Sequence, residues 1–135
     1  MNTVNVVVIF IRNSKGEFFV HQRLSTKRIF PNLFGLGAGG HIDSGEEPLA
    51  AAKRELSEET KLTSPVQYLF TKEFKVPDTN EIAHLYSTES DNDIETDKSE
   101  WQWSGWMKKE EVDQLLSENK LCPDTAGLYT QYIGL

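Results

Sequence analysis

Three carboxylates stand out in the stretch "GGHIDSGEEPLAAAKRELSEETKL", which runs from Gly39 to Leu62. Glu55, Glu58 and Glu59 lie three and four positions apart, so any helix formed here carries them on one face. Like charges at that spacing destabilise an isolated helix, and a bound divalent cation offsets the repulsion most directly, because hard cations take carboxylate oxygens as ligands. Gly39 and Gly40, just ahead of the helix, allow a close backbone approach. Arg54 can pair with Glu58 one turn on or reach back to Glu46, which gives Arg54 and Glu46 a structural task, holding loop against helix.

The elements that must position these groups can be read from apolar periodicity and turn residues. Pro48 at a first-turn position, Glu46 and Glu47 at the positive helix end, and Leu49, Ala52 and Leu56 at helical spacing predict a helix over residues 48–60. Before it, residues 4–12 and 18–23 predict a hairpin about the turn 13–16, and residues 24–40 a loop with short extended pieces. After it come two strands, 66–76 and 81–88, parted by the turn signal 77–80. Residues 89–100 form an acidic loop, 101–107 an extended aromatic segment, and 109–118 and 124–132 two closing helices. Strands interrupted by helices imply an α/β protein, a mixed sheet sandwiched between helices, with residues 1–135 forming one domain.

Composition narrows the classes further. Hydrophobic residues make up 38% and charged residues 26% of the chain, a globular profile. One cysteine, Cys122, cannot form an internal disulfide, which points to a reducing cytoplasm. The longest apolar run, residues 6–11, is far short of a membrane span, so no membrane partner is expected. A net charge of −7 repels a long nucleic acid. The small basic cluster Arg23, Lys27 and Arg28, with Phe34 nearby, suits a small phosphorylated ligand instead.

Gly40, five residues, Glu46, seven residues, Arg54-Glu55-Leu56, one residue, Glu58-Glu59: this pattern resembles the signature box of the Nudix hydrolases. One position departs from it, Lys61 standing where the family has glycine. That residue falls just past the helix end, where a left-handed conformation commonly closes the last turn, so lysine there should cost stability and leave chemistry intact. The resemblance extends over nearly the whole chain and implies the Nudix fold and cleavage of a diphosphate linkage in a nucleoside diphosphate-linked or similar small organic substrate, with Mg²⁺ or Mn²⁺ as cofactor. It implies that the Gly39 carbonyl, Glu55, Glu58 and Glu59 hold the metal, and that one of these carboxylates or a later glutamate activates water. Many Nudix enzymes use a further glutamate from a loop before a late tryptophan. Glu95, Asp97 and Glu100 are candidates here, and Glu100, six residues before Trp106 and bordering a strand, is the choice. Many relatives are homodimers, which the resemblance also allows here.

Two other readings share this scaffold. "HQRLSTKRIFPNLF" looks like the stretch that isopentenyl diphosphate isomerases carry ahead of their site, but those enzymes need a cysteine two residues before a histidine, and here Gly39 precedes His41. The other is a ligand-binding module that has lost catalysis, against which every carboxylate of the box is present. Arg23, Lys27, Arg28 and Phe34 are the candidate substrate-binding residues. His41 reads as a satisfied loop histidine, and Trp101, Trp103 and Trp106 read as packing.

Overall fold

The computed structural model describes residues 2–96 and 99–135. Asp97, one of the acidic-loop candidates, lies outside the described residues. Seven strands and three helices follow in the order β1 (Asn2–Arg12), β2 (Phe18–Arg23), β3 (Phe34–Leu36), β4 (Ala38–His41), α1 (Pro48–Thr60), β5 (Gln67–Val76), β6 (Thr79–Glu89), β7 (Trp101–Met107), α2 (Lys109–Ser117) and α3 (Pro123–Ile133). All strands join one mixed sheet of order β3-β2-β1-β6-β5, with β4 added to β1 and β7 to β2. The β1–β6 pair is parallel, from Asn2↔Thr79 to Arg12↔Glu89, and the others are antiparallel.

The apolar run of β1 serves two cores at once. Successive strand residues point to opposite faces, so a strand covered on both sides must be apolar throughout. Val6 and Phe10 join Ala83, Leu85, Val112, Leu128 and Tyr129 on the face covered by α2 and α3. Val7, Ile9 and Ile11 join Tyr86, Ala51, Ala52 and Leu56 on the face covered by α1. The Nudix fold expected from the sequence is therefore present, a mixed sheet between helices.

Glycine 37 decides where the sheet opens. Residues of β3 pair with β2 while those of β4 pair with β1, so within one residue the chain crosses between two strands that are neighbours only at their hairpin end, Arg12↔Phe18. Gly37 makes the crossing at φ +68, donates its N–H to the Phe19 carbonyl at 2.8 Å, and has no room for a Cβ against the Ile9 carbonyl. Only glycine combines that conformation with that approach. The gap left between β1–β4 and β2–β3 is where the site lies.

Three local details differ from expectation. Leu49 is 46% exposed, and the buried face of α1 is Ala51, Ala52, Leu56 and Thr60. The loop 24–40 contains two true strands, because Gly35 and Gly39 admit close strand partners. The turn after β5 is tighter than four residues: Val76 already pairs with Thr79, with Pro77 and a left-handed Asp78 between them. At the end of α1, Lys61 is left-handed, φ 64, with its N–H on the Ser57 carbonyl at 2.9 Å. Among the described residues no helix is long and apolar enough to cross a membrane.

Candidate active site

A cleft of about 480 Å³ opens at the fork in the sheet. Its α1 end is lined by Gly39, Gly40, Glu55, Glu59 and Glu100, and a hollow of about 280 Å³ beside it is lined by Glu55, Glu58, Glu59, Glu100 and Trp101. The acidic face of α1 and the loop glutamate thus meet at one place, as the spacing implied for the helix and as only the fold could show for Glu100.

Arg54 holds that end together. Its Nε and one terminal nitrogen clasp both oxygens of Glu46 at 2.8 and 2.9 Å, the fork geometry suited to a carboxylate. The other terminal nitrogen reaches Glu55 Oε1 at 2.8 Å and Glu58 Oε2 at 3.4 Å. The His41 carbonyl accepts a further bond at 3.1 Å, so helix and loop share one guanidinium. Glu46 also accepts the Asp43 N–H at 2.9 Å, and these bonds, Arg54 first, lower its pKa to about 2. Arg54 is raised above its ordinary value by Glu46 and then Glu55.

The two glycines let the loop sit against the helix. A Cβ on Gly40 would strike the Glu55 carboxylate, and the Gly39 N–H donates to Glu59 Oε1 at 2.7 Å. Burial, and then the charges of Glu55, Glu100 and Glu58, push Glu59 up to about 8, with the Gly39 bond opposing. Burial likewise raises Glu55. Among the described residues no three metal-ligating side chains are already drawn together: Glu55 turns to Arg54, Glu59 to Gly39, and Glu58 lies mostly in solvent. The donor set is nevertheless all hard oxygen, and the carboxylates of Glu55, Glu58, Glu59 and Glu100 line one hollow whose negative charge a divalent cation would neutralise, so the residues present fit such a cation.

Arg23 and Lys27 line the cleft. Arg23 donates from Nε and a terminal nitrogen to the Ile29 carbonyl at 3.1 and 2.9 Å, which fixes the loop beside it. Arg28 and Phe34 do not line the cleft: Arg28 is exposed, and the Phe34 ring meets Trp103 edge-on at 6.0 Å. The reason is the β2–β3 pairing, Gln22↔Phe34, which turns Phe34 onto the α2/α3 core. Glu95 is exposed and lines neither cavity.

Sequence reasoning missed several lining groups. His21 stacks on Trp101 with ring centroids 4.3 Å apart and planes 9° apart, and its Nδ1 bonds the Gly37 carbonyl at 2.8 Å. Burial lowers its pKa to about 4, so the ring is neutral and Nδ1 carries the donated proton. Glu81, Cys122, Asp124 and Thr125 line the far end. Cys122, remote in sequence from the box, has its thiol pushed up to about 12, chiefly by burial. A signal for Glu81 was present: it shares strand parity with Ala83 and Leu85, an inward position at which a glutamate is out of place.

Fold and site together define an acidic helix presented at a forked mixed sheet. The NUDIX domain matches residues 1–130, and the chain belongs to that family; it is a Nudix hydrolase, a pyrophosphohydrolase. It is 29% identical over 121 residues to an uncharacterized Nudix hydrolase of Nostoc sp., covering 85% of this chain and 70% of that one. To the 8-oxo-dGTP diphosphatase of Escherichia coli it is 36% identical over 84 residues, 58% of this chain and 60% of that one. To an isopentenyl-diphosphate Delta-isomerase of Serratia proteamaculans it is 30% identical over 124 residues, 86% and 66% of the two chains. In fold it is similar to DR0079 of Deinococcus radiodurans, TM-score 0.80 at 24% identity, covering 95% of this chain and 82% of that one. The NUDIX domain of Shewanella oneidensis NrtR, solved with ADP ribose, gives 0.81 at 20% identity, with 99% and 88% covered.

Proposed function

We propose that the chain hydrolyses the diphosphate linkage of a small nucleoside diphosphate-linked or similar organic substrate, in a reaction dependent on a divalent cation. The observation that carries this is the convergence of Glu55, Glu58, Glu59 and Glu100 in a cleft and its adjoining hollow, with Arg23 and Lys27 lining the same cleft. Glu55, Glu58, Glu59 and the Gly39 carbonyl are the groups to hold Mg²⁺ or Mn²⁺, whose charge neutralises that developing on phosphoryl oxygens.

The chain's own residues supply the rest. Arg54 and Glu46 keep Glu55 and Glu58 in place, and Gly40 leaves the space Glu55 needs. Arg23 and Lys27 bind phosphate oxygens. Glu100, which lines the same hollow as the helix carboxylates, orients and deprotonates the attacking water, with Glu55 and Glu58 sharing the task of fixing its position. The E. coli relative named for a nucleoside triphosphate supports a nucleotide substrate.

An isomerase reading fits less well. Gly39 stands where the carbon-proton chemistry needs a thiol, and the Cys122 thiol, pushed up to about 12, remains protonated at neutral pH. The free cysteine accords with a reducing, cytoplasmic setting. Incubating the chain with a panel of organic diphosphates and Mg²⁺ or Mn²⁺, and measuring phosphate and pyrophosphate release, tests the reading. Release that stops in excess EDTA is expected, and unchanged turnover in EDTA refutes it.

A further inference from the structure

A break in strand pairing decides where Trp101 faces. Along β2 and β7 the partners run from Phe18↔Met107 to Gln22↔Trp103, and then Arg23 pairs with Trp101, so Gln102 is the extra residue of a β-bulge. Partners across a ladder share a face, and an extra residue reverses the parity of what lies beyond it. Trp103 therefore lies with Gln22 and meets Phe34, whereas Trp101 lies on the other face, with Phe19 and His21. The bulge is pinned from the loop beside it: Gln102 accepts the Ser25 N–H at 2.9 Å and donates to Asn32 Oδ1 at 3.1 Å.

His21 ties that strand end to the fork in the sheet. Its ring stacks on Trp101, centroids 4.3 Å apart and planes 9° apart, while its Nδ1–H bonds the Gly37 carbonyl at 2.8 Å. The ring is confined on a further side by Gly35, where a Cβ would strike it. Glu100 directly precedes Trp101 and lines both the cleft and the hollow that Glu55, Glu58 and Glu59 share. A group at a loop end takes its aim from the element that the loop joins, and packing and hydrogen bonds one layer back hold that element.

We propose that His21 is the positioning residue for Glu100: by stacking on Trp101 and bonding the Gly37 carbonyl, it fixes the start of β7 from which Glu100 reaches the hollow. This rests on the reading of Glu100 as the group that acts on water. His21 stands to Glu100 as Arg54 stands to Glu55 and Glu58, a partner that sets the aim of a carboxylate.

The first arm of the test needs neither metal nor substrate. Amide hydrogen exchange at residues 100–102 should quicken about tenfold or more in His21→Leu, in EDTA, while α2 exchanges as before, the mark of a local loosening. Gly35→Ala, which displaces the ring and leaves the histidine in place, should do the same. In the second arm, kcat and KM are measured with Mg²⁺ on the organic diphosphate that releases phosphate fastest. His21→Leu should lower kcat at least about threefold with KM barely changed, and in a Glu100→Gln chain it should cost nothing further, because a residue acting through another has no effect once that other is gone. Unchanged exchange at residues 100–102 in folded His21→Leu overturns the proposal and leaves the reading of Glu100 standing. A kcat loss that persists undiminished in the Glu100→Gln background also overturns it, since His21 would then act by another route. Full activity in Glu100→Gln defeats the reading of Glu100 and the proposal with it.

Discussion

The two ends of the cleft are both acidic, but they are built differently. At the α1 end, Glu46, Glu55 and Glu58 share the Arg54 guanidinium, and Glu59 takes a backbone N–H. At the α3 end, Glu81 and Asp124 share each other, and one glutamate oxygen has no partner. The first arrangement anchors carboxylates while leaving net negative charge for a cation. The second sets two carboxyls against each other, and burial and the Asp124 charge raise Glu81 to about 8. The surrounding partners, not the residue type, set the electrostatics of each acidic group.

If the α1 end works through charge, removing one charge there should be the most damaging change. Glu59→Gln is expected to lower turnover by about a hundredfold or more with the fold retained, the scale of losing a metal ligand or its support. Steady-state kinetics with circular dichroism on the same sample checks it, and a folded variant of near-native activity would remove Glu59 from the machinery.

A smaller effect separates chemistry from binding at the same end. Glu100→Gln should reduce kcat about tenfold or more with KM barely changed, the pattern of an interaction made in the transition state. Glu95→Gln, on an exposed residue lining neither cavity, should change neither constant. A silent Glu100 with a critical Glu95 would mean that the acidic loop reaches the cleft by a different residue.

The smallest change probes the helix rather than the site. Lys61 occupies the left-handed region at φ 64, where a Cβ is strained, so Lys61→Gly should raise stability by up to about 1 kcal/mol, part of the gain being offset by the freer unfolded chain. Thermal or urea denaturation measures this, and turnover should not change, because Lys61 lines neither cavity. A loss of stability would show that the helix end depends on the lysine side chain.

Much of this was legible in the chain because it is local. Helix periodicity alone placed Glu55, Glu58 and Glu59 on one face, the reach from Arg54 to Glu46 and Glu58 follows from the same spacing, and the glycine position of the box located the left-handed residue 61. Strand boundaries came within a few residues for the same reason: alternation and turn residues act over short distances. Leu49 was misjudged because periodicity does not say which turn of a helix overhangs the sheet.

What the tertiary structure alone decided is which distant segments share a wall. Phe34 left the cleft when strand pairing turned it to the core, and Cys122 entered the cleft from the start of α3. Glu81 and Asp124 met because β6 lies parallel beside β1 and α3 packs over that same face. No spacing along the chain encodes such a meeting, since it depends on sheet order and on the fork at Gly37. The sequence by itself determined the helix and its charges; the packing of two cores against one sheet determined what those charges face.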